Sequence, residues 1–319
     1  MENLLFCLQA TIPVFLVMVF GYLLKRMHFL DASFVKTLNS FNYKITLPAL
    51  LFKDISGSDF AASFDGKYVL FCFLVTLFCI TATFMVTAKL SHRKDLTGEF
   101  VQASYRSSAA VLGIAFLQNI YGTSSMAPLM IIGTVPLYNI AAVIILSFTG
   151  PDATGLNRES LKKTVKDILT NPIILSIGAG ILASLLKSAL SLPPLPILAK
   201  TLNNIAVLAT PLALIGLGAG FEGKKALAET KATLLCSTVK LILWPVLFLP
   251  VAVLCGFRGE QLVAILVMLG SPTTVSCYIM AKNLKHEGIL TSSVVVATTF
   301  FSSLTLTFFL YLLKILGLI

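Results

Sequence analysis

The chain has 319 residues, of which 57% are hydrophobic and only 12% charged, and its mean hydropathy is +0.92. No water-soluble core of this size needs such a proportion, so the implied solvent is lipid and no soluble domain is left over. The formal net charge of +10 does not point to nucleic acid, because the basic residues sit in short connections between apolar runs and no basic patch interleaved with exposed aromatics occurs.

A helix needs about 20 mostly apolar residues to cross the hydrocarbon. Segments of that length recur at 4–24, 32–56, 67–89, 99–120, 125–149, 167–187, 197–220, 230–256, 260–282 and 289–317. The expected fold class is an all-α membrane protein of ten transmembrane helices. Residues 1–150 form the first five, 151–166 a connecting loop and 167–319 the second five. The first run lacks a basic n-region and is closed by Lys25 and Arg26, which reads as a span rather than a cleaved signal. The central connection, Gly150 to Lys166, is the only long polar one and carries Pro151 and Gly155.

Lys and Arg in the connections set orientation. After odd-numbered spans they are Lys25, Arg26, Lys89, Arg93, Lys94, Arg158, Lys162, Lys163, Lys166, Lys224, Lys225, Lys231, Lys282 and Lys285. After even-numbered spans they are Lys53, Lys67, Lys187, Lys200 and Arg258, fourteen against five. The odd connections, the central loop among them, are therefore expected in the cytoplasm and both termini outside.

Five spans on each side of the central loop make the second copy enter from the opposite face, the condition for an inverted repeat. Matching words support it. Lys36-Thr37-Leu38-Asn39 opens the second span and Lys200-Thr201-Leu202-Asn203 the seventh, with Pro48 and Pro211 at similar distances. Gly98-Glu99 opens the fourth span and Gly259-Glu260 the ninth, and glycines Gly122 and Gly288 precede the next spans.

In inverted-repeat carriers, substrate sits near the midplane between helices broken there. The ninth span is interrupted by Gly270-Ser271-Pro272-Thr273-Thr274. If a new helix starts here, Ser271 is its N-cap and Pro272 its first residue, leaving the amides of Thr273 and Thr274 for an anion. The alternative is a proline kink satisfied by neighbouring side chains. In the fourth span Tyr105-Arg106-Ser107-Ser108 has no proline, but Arg106 lies roughly 10 Å beyond Glu99 at about 1.5 Å per residue. A guanidinium at that depth suits bidentate carboxylate binding; the alternative is a side chain that snorkels to the cytoplasmic surface. Thr134, Tyr138 and Asn139 in the fifth span and Ser276 and Tyr278 in the ninth are candidates for the same cavity, although such residues more often bridge helices. Lys44 and Lys240 are either buried or snorkelling and stay unassigned.

Absences narrow the chemistry. The cysteines (Cys7, Cys72, Cys79, Cys236, Cys255 and Cys277) form no CxxC pair, and His28, His92 and His286 are far apart in connections. No metal site, cofactor or catalytic constellation is expected. Asp54 stands at the outer end of the second span, and the buried carboxylates of a typical proton exchanger are missing.

The residues resemble the auxin efflux carrier family, in particular its bacterial permease branch, over essentially the whole chain. The resemblance rests on Gly21-Tyr22-Leu23-Leu24, Leu47-Pro48-Ala49-Leu50-Leu51-Phe52, Tyr105-Arg106-Ser107-Ser108 with Gly113, Pro136-Leu137-Tyr138-Asn139, and Ser271-Pro272-Thr273-Thr274-Val275-Ser276-Cys277-Tyr278-Ile279-Met280-Ala281-Lys282. It implies two inverted five-helix repeats, with helices four and nine broken and crossing beside the substrate, and small carboxylic acids as cargo. Ser108 stands where the family commonly has asparagine, which leaves the substrate open. The resulting expectation is a permease of the cell membrane moving a mono- or dicarboxylate by alternating access. Arg106, Ser108, Thr134, Tyr138, Asn139, Pro272, Thr273, Ser276 and Tyr278 would contact it. Its partners are the anion and the bilayer, with pairing into a homodimer left open. The rivals are a cation-coupled exchanger and a membrane anion sensor.

Overall fold

The computed structural model describes the chain apart from residue 1 and residues 58–64, 91–92, 110–116, 118–119, 122–125, 151–165, 167–168, 191–194 and 222. Gly113, Gly122 and nearly all of the central loop lie outside the described residues. Among those described, the regular structure is helical: α1 (Glu2–Arg26), α2 (Ala32–Phe41), α3 (Leu47–Ser56), α4 (Gly66–Leu90), α5 (Thr97–Tyr105), α6 (Met126–Thr149), α7 (Pro172–Leu190), α8 (Pro196–Ala206), α9 (Ala209–Ala219), α10 (Gly223–Ala228), α11 (Thr230–Thr238), α12 (Trp244–Leu254), α13 (Gly259–Gly270), α14 (Ser276–Asn283) and α15 (Ile289–Ile315). Five stretches, Gly66–Leu90, Met126–Thr149, Pro196–Ala219, Thr230–Leu254 and Ile289–Ile315, are long and apolar enough to cross a membrane.

The surface has the composition expected of a core. Phe73, Leu74 and Phe78 on α4, Val246 and Leu247 on α12, and Phe300 and Phe308 on α15 are exposed, an arrangement stable only in lipid. Inside, α15 buries Thr291, Ser292, Thr298, Thr299, Ser302 and Ser303. Several of these hydroxyls return to carbonyls three or four residues earlier, as Thr298 does to Val294 at 2.7 Å and Thr299 to Val295 at 2.7 Å, so small polar residues pack helices without orphaned groups.

Two long helical stretches widen into a π turn: Asn42–Thr46 between α2 and α3, and Val239–Leu243 between α11 and α12. Each turn stands just before a proline at the start of the next helix, Pro48 and Pro245. A proline ring clashes with the carbonyl four residues back and donates no bond to it, and widening the turn relieves both. The first π turn is tied across the molecule, because buried Asn42 donates to the Ala209 carbonyl at 2.9 Å and accepts from Thr46 Oγ1 at 2.7 Å. Ala209 opens α9 immediately after the turn at Val207–Leu208 that interrupts the seventh apolar stretch. The backbones of α1 and α9 meet closely: a Cβ on Gly218 would collide with the backbone of Met18, and one on Gly21 with that of Ile215.

Candidate functional site

Two helices stop inside the molecule. α5 ends at Tyr105, and Arg106 turns to extended backbone (φ −69°, ψ 140°). α13 ends at Gly270, and Ser271 does the same (φ −73°, ψ 159°). The two irregular segments, Arg106–Ser108 and Ser271–Val275, touch through a bond from the Ser108 amide to the Pro272 carbonyl at 2.9 Å.

An interrupted helix leaves terminal carbonyls without helical partners, and burial makes each one costly unless a donor is found. At the end of α5, Gln102 O receives the Arg106 amide at 3.1 Å. Ala103 O receives Thr273 Oγ1 at 2.8 Å, and Ser104 O the Trp244 indole at 2.9 Å. At the end of α13, Val267 O receives the Ser271 amide at 3.0 Å. Met268 O and Leu269 O receive the ammonium of Lys240 at 3.3 and 2.6 Å. Each break is thus closed by groups from elsewhere in the sequence.

This corrects the expected ninth-span geometry. The helix resumes at Ser276 with Val275 at its cap position and no side-chain cap, not at Pro272. Ser271 is fully buried and its hydroxyl has no partner. The Thr273 amide is not free for an anion, because it donates to Thr298 Oγ1 at 3.0 Å.

Around the two breaks lies a cavity of about 160 Å³, room for roughly five waters at about 30 Å³ each. It is walled by Leu47, Leu50, Leu51 and Asp54 of α3, Arg106–Ser108, Val135, Tyr138 and Asn139 of α6, Ala209, Thr210 and Ala213 of α9, Pro272–Ser276, and Thr299 of α15. Of the residues expected from sequence, Arg106, Ser108, Tyr138, Asn139, Pro272, Thr273 and Ser276 meet here. Thr134 and Tyr278 do not. Thr134 is fully buried with its hydroxyl on Met130 O at 2.7 Å, and the Tyr278 hydroxyl fills the space a Cβ on Gly220 would need. Asp54, Thr210 and Thr299 were not among the candidates, and Thr274 was expected only for its amide. The position of Asp54 near the end of the second apolar stretch was readable, but which way that helix faces was not.

Arg106 is 2% exposed, which excludes the snorkelling alternative. Nη2 donates to Asn139 Oδ1 and Ser276 Oγ, both at 2.8 Å, and Nη1 points to the Met280 sulfur at 2.6 Å. Nε has no partner. A guanidinium carries five N–H donors. Here two good acceptors and one weak thioether meet them, and among the described residues no carboxylate pairs with the charge. The result is a buried cation held by neutral groups at the wall of the cavity, without a counter-charge among the described residues.

The entrances to the two broken stretches are matched. Glu99, at the start of α5, accepts from the amides of Gly288 and Thr291 at 2.7 and 2.9 Å and from the Thr291 hydroxyl at 2.9 Å, capping α15. Glu260, at the start of α13, accepts from the Met126 amide at 2.9 Å, the first residue of α6. A carboxylate at a helix N-terminus meets both its unpaired amides and its positive dipole end. The same device appears once in each half of the chain.

An interior solute site built on interrupted helices, within a helical body that turns its large apolar side chains outward, is the construction of a membrane transporter. A sequence model of the membrane transport protein family matches residues 6–310, and the chain belongs to that family, the auxin efflux carrier family of the motifs above. It is a transport family, not an enzymatic one. No curated protein matches the chain.

Proposed function

We propose that the protein is a secondary carrier for a small organic anion, a mono- or dicarboxylate, which it moves by alternating access. The observation that carries this reading is Arg106, a buried cation on the cavity wall that no carboxylate pairs with among the described residues. The substrate carboxylate would take the open guanidinium donors, with Ser108, Thr274 and Ser276 hydroxyls completing its shell.

Alternating access follows from an inverted repeat of residues 1–150 and 167–319, ten spans in all, joined by a cytoplasmic loop with both termini outside. The Glu99 and Glu260 caps support it, as do the matching interruptions in the second and seventh stretches and in the fourth and ninth. α5 and α13 have 9 and 12 residues. At about 1.5 Å per residue they add up to about 31 Å, against a hydrocarbon thickness of about 30 Å. Two half-helices entering from opposite faces therefore meet within the bilayer, and one repeat rocking against the other would expose the cavity to each side in turn.

Flux of labelled mono- and dicarboxylates into liposomes tests the reading and separates a carrier from a sensor. Arg106→Ala should abolish flux at equal expression, and Arg106→Lys should recover it only in part because the planar fork is lost. Wild-type flux by the alanine variant would remove Arg106 from the site.

A further inference from the structure

Lys240 closes the end of α13 but does not line the substrate cavity. It is fully buried, lies in the π turn between α11 and α12, and among the described residues bonds two main-chain carbonyls, Met268 O and Leu269 O. Those carbonyls close α13, so the ammonium sits at the negative end of a helix dipole inside the membrane body. Beside it is a void of about 10 Å³ lined by Thr76, Cys79, Tyr105, Tyr138 and Trp244. No Asp or Glu lines the void, and it falls short of holding a further ion with any water, since one water needs about 10–15 Å³.

In transporters with broken helices, the carbonyls at a half-helix C-terminus are where a coupling cation binds. Here a side chain already delivers one positive charge to that place. We propose that Lys240 is a tethered cation that stands in for a bound monovalent ion at the end of α13, so that anion transport requires no sodium. This rests on the carrier reading for its transport consequence, but not for its binding consequence. Met268 O also accepts from the Tyr138 hydroxyl at 3.4 Å, which accepts from Ser107 Oγ at 3.4 Å. Tyr138 and Ser107 both line the substrate cavity. Lys240 is therefore a positioning residue, acting on the cavity through the end of α13.

The test uses the purified full chain, first without substrate. Wild-type melting temperature should be the same in sodium, potassium and choline chloride at equal ionic strength. Lys240→Ala should melt lower, and methylammonium, small enough to enter the space vacated by the side chain, should restore it where tetramethylammonium does not. Lys240→Met, which keeps the chain length and loses the charge, should melt below wild type in every salt. In liposomes, wild-type flux should be indifferent to sodium. Lys240→Ala flux should fall about tenfold or more, as expected for loss of a charged donor to buried carbonyls, and recover with methylammonium. A wild-type requirement for sodium, in melting or in flux, overturns the proposal. So does a methionine variant equal to wild type in both, or an alanine variant that responds equally to the two organic cations. If no acid is carried at all, the melting experiments still decide the cation question, while the carrier reading fails separately.

Discussion

The ends of α5 and α13 solve one problem with different chemistry. α5 stops without a proline, and its last carbonyls are met by neutral donors, the Thr273 hydroxyl and the Trp244 indole. α13 stops just before Pro272, and its carbonyls are met by an ammonium. The two caps come from neighbouring turns of one stretch: Lys240 and Trp244 are four residues apart across the π turn, and each faces a different break. A helix can thus be ended by a residue that cannot continue it or by partners that claim its carbonyls. α5 shows that the second suffices alone, and its extended Arg106 carries the cationic side chain into the cavity that the break opens.

The largest effect is expected at the entrances. Glu99 is 1% exposed and holds three donors, whereas Glu260 is half-buried. Glu99→Gln keeps one acceptor, sets an amide N–H₂ against donors, and should cost about 2–3 kcal/mol of stability, in the range for buried bonds to a charged group. Glu260→Gln should cost less than half as much by thermal or denaturant melting of the purified protein. Equal losses would mean that the two half-helices are anchored alike.

The next contrast lies within one segment. Thr273→Val removes the donor to Ala103 O and should cost about 1–3 kcal/mol, because a buried carbonyl is left unpaired. Ser271→Ala, two residues earlier, removes a buried hydroxyl that has no partner and should be neutral or stabilising. If both substitutions destabilise to the same degree, the carbonyl of Ala103 is not what Thr273 serves.

Much of this was legible before any coordinates. Pro272 announces its break because the cause, a missing N–H, is in the residue itself, and Arg106 announces itself because a guanidinium in an apolar run has few explanations. Glu99 and Glu260 were readable as paired markers, but not as caps on the amides of Gly288 and Met126, which lie 189 and 134 residues away from them in opposite directions. Lys240 stood out but stayed unassigned, since a lysine in a span snorkels as readily as it caps, and Trp244 gave no signal, since an indole donor has no local pattern. Thr134 and Tyr278 were misplaced for a related reason. Composition says that a polar group is inside, and only the rotation of its helix says which inside face it takes.

Asp54 shares the cavity with Arg106 but bears the opposite charge. Asp54→Asn removes repulsion on an incoming carboxylate and should tighten binding by about 0.5–1 kcal/mol at low salt, with the gain shrinking as salt screens it. Isothermal titration with a transported acid at two ionic strengths reads both. Weaker binding by the asparagine variant would show instead that Asp54 holds part of the substrate.

The smallest effect is expected where the sequence pointed most plainly. In a simple proline break, Pro272→Ala would let α13 run on, because the new amide would find Met268 O and the Thr273 amide would find Leu269 O. Both carbonyls are already taken, the first by Lys240 and Tyr138 and the second by Lys240, and the Thr273 amide is engaged with Thr298. The carbonyl of residue 272 also receives the Ser108 amide, a bond that does not depend on the proline ring. The break should therefore persist in the alanine variant. Relief of the proline penalty and the burden of one new buried donor should nearly offset, leaving stability within about 1 kcal/mol of wild type and substrate affinity within about threefold. A variant that binds more than tenfold more weakly, while melting higher than wild type, would mean that the helix has closed up. The ninth break would then belong to its proline rather than to Lys240, and the likeness between the two half-helix ends would stop at their geometry.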